Sequence, residues 1–274
     1  MIVYRRIVKW LGRILLATVF LAPLTATAMA TDKSIEKKPL HIRGIKGHDD
    51  RVRVDITAAP WKMIGRLNNN GSFCTGILVG PSEVVTAAHC FWDKQRQKWA
   101  VPSGFHFVLG YEKGLYEAQT EIVSYSLVSG PPLMRGGKKP PLADDWALVT
   151  LKVPLGQTYG YIRPVPFDAA RIKQPRPGAT FLQAGYSKDI PHILTSDMDC
   201  DLLGVQKTGV GKEPVILHRC DATNGDSGSP ILMRDGHRYS LIGIHVATVT
   251  RPEEQDIGIA VSVDNFRRKL AVNQ

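Results

Sequence analysis

The chain has 274 residues, of which 43% are hydrophobic and 22% charged. That length and apolar fraction suffice to bury a core for one or two domains and exclude a disordered chain. The formal charge is +10, yet no basic stripe interleaved with aromatic residues accompanies it, so the composition argues against a nucleic-acid partner. The eight histidines and four cysteines show no His-Glu-x-x-His or Cys-x-x-Cys spacing, and no metal or other cofactor is indicated.

In chain order, residues 1–13 carry Arg5, Arg6, Lys9 and Arg13 with no acid, residues 14–24 are apolar, and Ala28-Met29-Ala30 is a small-x-small triplet. This is the pattern of a signal peptide over 1–30, cut after Ala30. Its apolar run is shorter than the ~20 residues that span a bilayer, so no stable membrane insertion is expected once it is removed. Arg5-Arg6-Ile7-Val8-Lys9 also has twin-arginine character, with Sec export as the default. Either route makes the protein secreted or periplasmic. Loss of the four cations takes the formal charge from +10 to +6, a solvated surface excess that favours solubility. Residues 31–40 are polar and aperiodic, which assigns 31–44 to a pro-segment or linker.

Beyond residue 45 the pattern becomes one of short β-strands. Period-2 or continuous apolar runs bounded by Gly, Pro and Asn predict strands at 52–56, 74–79, 83–86, 105–109, 121–128 and 146–151. A second set falls at 180–186, 198–203, 215–218, 230–233, 239–246 and 258–263. Many evenly spaced short strands without intervening helices point to an all-β barrel or sandwich architecture. The Pro- and Gly-rich stretch 154–177 suits a connection between the two sets. Residues 129–141 form a long loop before the strand at 146, and 264–272, with Asp264 as N-cap, predict a short terminal helix.

Three segments carry chemistry. Asn224-Gly225-Asp226-Ser227-Gly228-Ser229-Pro230 holds a serine between glycines after an aspartate, which suits a nucleophile whose own turn builds an oxyanion site. Thr86-Ala87-Ala88-His89-Cys90 sets a histidine at the end of an apolar run, and Asp145-Trp146-Ala147-Leu148-Val149 sets a carboxylate at the start of another. A serine hydroxyl is a poor nucleophile at neutral pH, so a neutral imidazole must take its proton, and a carboxylate must fix the imidazole tautomer. The order His, Asp, Ser differs from that of α/β-hydrolases, which share Gly-x-Ser-x-Gly. The neighbouring Asp144 competes with Asp145, but the two point to opposite faces of an extended chain, so only one can meet His89.

These motifs, over roughly residues 45–270, resemble the trypsin-like serine endopeptidases of chymotrypsin fold, with the Gly-Ile-His strand at 243–245 similar to the bacterial trypsin-like and glutamyl-endopeptidase-like branch. The resemblance implies an all-β fold of two six-stranded antiparallel β-barrels, residues 45–165 and 166–274, with the site between them and a polypeptide as substrate. It implies catalysis by His89, Asp145 and Ser227, an oxyanion hole from the N–H groups of Gly225 and Ser227, and a disulfide between Cys74 and Cys90. Cys200 and Cys220 are then left for each other, as expected of an exported chain.

For specificity the resemblance gives two opposed signals. Asp221, six residues before Ser227, holds the position of the pocket floor that selects Arg or Lys in trypsin-like enzymes. His245 resembles the histidine by which glutamyl endopeptidases bind an acidic side chain, and Ala247 and Thr248 replace the trypsin Trp-Gly wall. The reading leans to Arg or Lys, with a glutamyl-type enzyme or a catalytically silent binding protein as alternatives. Asp226 occupies the place of the aspartate that pairs with a freed α-amino group in this family. Ile42-Arg43-Gly44 and Ile45-Lys46-Gly47 resemble the family's Ile-Val-Gly start, and Arg51 is a second source of positive charge.

Overall fold

The computed structural model describes residues 42–128, 141–173, 177–208, 214–251 and 254–272. The signal and linker expected over 1–41, and most of the loop expected over 129–141, lie outside the described residues. Among the described residues sixteen strands run in chain order: β1 Arg51–Arg53, β2 Ile64–Asn69, β3 Ser72–Leu78, β4 Glu83–Thr86, β5 Trp92–Asp93, β6 Lys98–Trp99, β7 Phe105–Leu109 and β8 Ala118–Leu127 come first. They are followed by β9 Ala147–Leu151, β10 Thr180–Ser187, β11 Ile190–Asp197, β12 Leu202–Gln206, β13 Val215–His218, β14 Pro230–Asp235, β15 Arg238–Val249 and β16 Ile257–Ser262. The described residues also include the short helices α1 Leu155–Tyr159, α2 Ala170–Lys173 and α3 Arg267–Val272.

Strands β2-β3-β4-β9-β8-β7 close into the first barrel. The second half is an eight-stranded antiparallel sheet in the order β1-β11-β10-β14-β15-β16-β13-β12, the counterpart of the second barrel expected from the sequence. Its two flanks are tied together where Asp221 N–H donates to Asp197 at the end of β11 and where Cys200 bonds Cys220.

The continuous apolar runs in β3, β4 and β9 are explained by burial on both faces. Leu78, Val84, Ala147, Val149 and Leu151 fill the first barrel, whereas their neighbours Ile77, Val85 and Leu148 join Leu182, Tyr186 and Leu232 in the core between the two halves. Period-2 geometry thus makes β4 and β9 rigid bridges between the halves, and each leads directly into or out of a segment that carries a site residue.

Three elements depart from the sequence reading. Residues 51–53 join the second sheet, with Arg51 opposite Asp197, rather than the first set of strands. Strands β2 and β11 gave no clear signal: β2 reads Ile-Gly-Arg-Leu-Asn-Asn and β11 contains Pro191. The glycine in β2 is a packing requirement, because a Cβ on Gly65 would lie 2.4 Å from the Phe107 ring inside the barrel. Gly65→Ala is therefore expected to overpack the barrel and cost about 1–3 kcal/mol, read as a lowered urea midpoint with an unchanged m-value.

Candidate active site

The turn after β4 delivers His89, the turn before β9 delivers Asp145, and the turn before β14 delivers Ser227. Ala87 and Ala88 are buried in the two cores, which leaves the following histidine at the surface between the halves. His89 Nδ1 lies 2.8 Å from Asp145 Oδ2, and His89 Nε2 lies 2.8 Å from Ser227 Oγ. The main-chain N–H of His89 donates to Asp145 Oδ1 at 2.9 Å, so the carboxylate orients both the ring and its backbone. Asp144, buried in a 3-10 turn beside it, does not take this place. The disulfide Cys74–Cys90 joins β3 to the residue after His89, adding about 3 kcal/mol in the chain-entropy model. Cys74, Cys90 and His89 form a grouping of metal-ligand types among the described residues, but both sulfurs are bonded to each other and offer no thiolate.

The turn that carries Ser227 depends on two glycines. Gly225 has φ +101° and Gly228 φ +84°, and a Cβ on Gly228 would fall 2.3 Å from Thr75 O. Asp226 N–H donates to Thr223 O and Gly228 N–H to His245 O, whereas the N–H groups of Gly225 and Ser227 have no acceptor among the described residues. Thr75, unforeseen from sequence, fixes the Gly225 peptide: its hydroxyl donates to Gly225 O at 3.0 Å and accepts from Tyr186 N–H at 2.9 Å. The result is a pair of N–H donors beside a serine hydroxyl that is hydrogen-bonded to an imidazole.

Asp226 is buried beneath the same turn. Burial pushes its carboxyl up to about 6, against the hydrogen bonds of Ser187 and Thr223 and the attraction of Arg51. Ser187 Oγ donates to it at 2.6 Å, Thr223 N–H at 2.8 Å and Gln183 Nε2 at 3.3 Å. Its contacts are thus a network of donors rather than an ammonium group.

The two specificity candidates have different partners. Asp221 is only 2% exposed, and both its oxygens are occupied by main chain, Oδ1 by Lys46 N–H at 2.7 Å and Oδ2 by Asp50 N–H at 3.0 Å. This departs from the expected open pocket floor: the carboxylate anchors the segment 46–50 instead of facing a free cavity. Lys46 itself is buried, donating its ammonium to Gly44 O and Cys220 O. Burial lowers its pKa to about 8, with Asp221, Asp226, Asp256 and Asp197 opposing the shift.

His245 instead meets His218, a residue with no sequence signal. Cys220 N–H donates to His218 Nδ1 at 3.2 Å, and His218 Nε2 lies 3.0 Å from His245 Nδ1. A nitrogen that accepts carries no proton, so the network assigns the proton of neutral His218 to Nε2, which donates to His245, and leaves His245 Nε2 as an N–H donor. Burial holds both imidazoles well below their ordinary pKa, hence neutral at pH 7. The His218 ring fits because the facing residue on β16 is Gly258, where a Cβ would lie 2.2 Å from it. His245 is also tied to the Ser227 turn, its main chain accepting from Gly228 N–H and donating to Ser229 O.

A cleft of about 470 Å³ opens beside Ser227 and His89, lined by Leu67, Phe73, Phe105, Trp92, Lys94 and Lys188 among others.

A family model described as Trypsin matches residues 51–270. A glutamyl endopeptidase of Bacillus licheniformis is 28% identical over 217 residues, which is 78% of this chain and 62% of that protein. Tissue-type plasminogen activator of Sus scrofa is 23% identical over 248 residues, 77% of this chain and 42% of its own length. The chain therefore spans only part of either relative. A solved structure of a Glu endopeptidase in complex with MPD is similar in fold, with a TM-score of 0.62 at 21% identity, covering 84% of this chain and 100% of that one.

Proposed function

Since this chain belongs to the family of trypsin-like serine peptidases, we propose that it is an exported serine endopeptidase acting through His89, Asp145 and Ser227, with preference for an acidic side chain on the acyl side of the cut. The observation that carries the first part is His89 bridged to Ser227 and Asp145 at 2.8 Å on either side. Ser227 Oγ attacks the scissile carbonyl while His89 Nε2 takes its proton, and Asp145 stabilises the imidazolium through Nδ1–H. The carbonyl oxygen becomes an oxyanion held by Gly225 and Ser227 N–H, each such donor being worth about 2.7–4 kcal/mol in a related protease. His89 then gives its proton to the leaving amine, an acyl-Ser227 ester remains, and water attacks that ester with His89 again as base. In this reading the first barrel carries the base and its carboxylate, the second carries the nucleophile, and the division falls near residue 165. Export is supported by the two disulfides, which persist in oxidising compartments.

The acidic preference rests on His245 and on the occupied carboxylate of Asp221. A neutral imidazole whose Nδ1 is already taken presents one N–H, a donor suited to a carboxylate, and the Lys46 ammonium adds a positive field without a direct contact. The preference for Arg or Lys would need a free Asp221. The named relative, a glutamyl endopeptidase, supports the same choice.

Incubation of the processed protein with a fluorophosphonate is expected to modify Ser227. Labelling that persists in Ser227→Ala would overturn the triad, and labelling without turnover of any peptide would make the chain a binding protein. Because Lys46 loses its charge near pH 8, KM for a substrate with Glu at the cleaved position is expected to rise roughly tenfold above that pH while kcat holds. Lys46→Met should remove that rise and show the higher KM at every pH.

A further inference from the structure

We propose that Arg51 is a positioning residue for the Ser227 turn, acting through Asp189 and Thr223, and that this internal cation replaces a freed amino terminus in ordering the oxyanion donors. The inference rests on the peptidase reading for its kinetic part and on geometry alone for its structural part. The Arg51 side chain is 2% exposed although it carries a full charge, and a buried guanidinium persists only where its donors are satisfied. Its Nε and Nη2 donate to Asp49 at 2.8 Å each, and Nη2 reaches Asp189 Oδ2 at 2.5 Å with Nη1 on Oδ1 at 3.2 Å. Thr223 Oγ1 donates to the same Asp189 Oδ1.

From Thr223 the chain of contacts runs straight to the nucleophile's turn. Thr223 N–H donates to Asp226 Oδ2 at 2.8 Å, and Asp226 N–H returns to Thr223 O at 3.2 Å. Lys188 N–H, next to Asp189, donates to Asn224 O at 2.6 Å. The peptide between Asn224 and Gly225, which carries one of the proposed oxyanion donors, is thus held at its carbonyl by Lys188, and the preceding Thr223 is held by Asp226 and by the Asp189 carboxylate that Arg51 binds. The hydrogen bonds of Arg51 and Thr223 keep the Asp189 carboxyl below its usual range against burial.

The termini that a cut between residues 43 and 46 would create are engaged elsewhere. Gly44 N–H donates to the buried Asp256 at 2.8 Å, Ile45 N–H to Ile42 O at 3.0 Å and Lys46 N–H to Asp221 at 2.7 Å. None of the three bonds Asp226. Arg51 and Lys46 are cations that act on Asp226 at a distance, while its direct partners Ser187, Gln183 and Thr223 are neutral. Arg51 lies on the Thr223 side of the turn and acts on both its geometry and the charge of Asp226.

The test compares Arg51→Gln, Arg51→Lys, Asp189→Asn and Thr223→Val, with Arg53→Gln, from an exposed ion pair with Glu112, as control. Arg51→Gln and Asp189→Asn are expected to lower kcat per titrated active site by roughly 10- to 100-fold with KM within a few-fold. The acid limb of kcat should move to higher pH in Arg51→Gln, because Asp226 loses a nearby cation and holds its proton longer. Arg51→Lys should restore the acid limb, Thr223→Val should lower kcat without moving it, and Arg53→Gln should match wild type. Amide exchange gives a reading independent of catalysis: the Thr223 and Asp226 N–H groups should exchange about tenfold faster in Arg51→Gln at unchanged global stability of the first barrel. Unchanged exchange at these two amides together with an unchanged kcat per site and acid limb, even with a lowered melting temperature, would reduce Arg51 to a structural ion pair and overturn the proposal. Absence of any turnover in the wild type would sink the peptidase reading, and the exchange result alone would then decide the role of Arg51.

Discussion

Asp145→Asn is expected to lower kcat by about 10⁴-fold while leaving KM and thermal stability close to wild type. The side chain is 20% exposed, so an isosteric amide can keep the packing. What changes is the proton. Asp145 accepts at both oxygens, from His89 Nδ1–H and from His89 N–H. An asparagine must satisfy one of those positions with an NH₂ group, and if that group faces the ring, Nδ1 becomes the acceptor and Nε2 carries the hydrogen. Nε2 then has no lone pair for the Ser227 proton. Fluorophosphonate labelling should slow by a similar factor, since it uses the same proton transfer. Single-turnover kinetics with a peptide ester checks this: a variant within tenfold of wild type would mean that Asp145 does not set the tautomer and would direct attention to Asp144. Removal of Ser227 and His89 together should cost little more than removal of either, because they act as one unit.

The three segments that meet at His89, Asp145 and Ser227 are legible in the sequence. The triad segments could be read because each is a turn next to a strand with a strong apolar pattern, and residues 83–86 and 147–151 are buried on both faces. Alternation allows only one of Asp144 and Asp145 to meet His89, and the resemblance to the family is what selects Asp145. The parts that escaped are non-local. His218 sits in an ordinary strand, and its meaning depends on His245 on a neighbouring stretch of sheet and on the missing side chain of Gly258, 40 residues later in the chain. Asp221 was visible as a position, but its engagement by Lys46 and Asp50 is a contact across 175 and 171 residues. No window of sequence contains both ends of such a bond. Strand β1 was assigned to the wrong set for the same reason: Val52 alternates well, but its partner Ser196 lies in β11, whose Pro191 and polar residues conceal it.

The same distinction, between a residue's position and its partners, determines the second large effect. His245→Ala is expected to reduce kcat/KM for substrates with Glu at the cleaved position by roughly 10- to 100-fold, the worth of a hydrogen bond to a charged group in a desolvated site. His218→Leu should give part of that loss: without its donor the His245 ring is free to place its proton on Nδ1, and the population that presents Nε2–H falls. Binding of a carboxylate favours the charged imidazole, so the buried pair, held well below its ordinary pKa when empty, should take up a proton more readily in the complex. KM for Glu substrates should consequently improve as pH falls from 7 towards 5, with no such trend for an uncharged side chain at that position. Asp221→Ser gives the opposing test. With both oxygens committed to main-chain N–H groups, its replacement should loosen the segment 46–50 and lower stability without creating or erasing a charge preference. Cleavage profiles on a diverse peptide library decide between the two residues: a preference for Arg or Lys that vanishes in Asp221→Ser and survives in His245→Ala would show that Asp221 turns towards substrate, and the acidic assignment would fall.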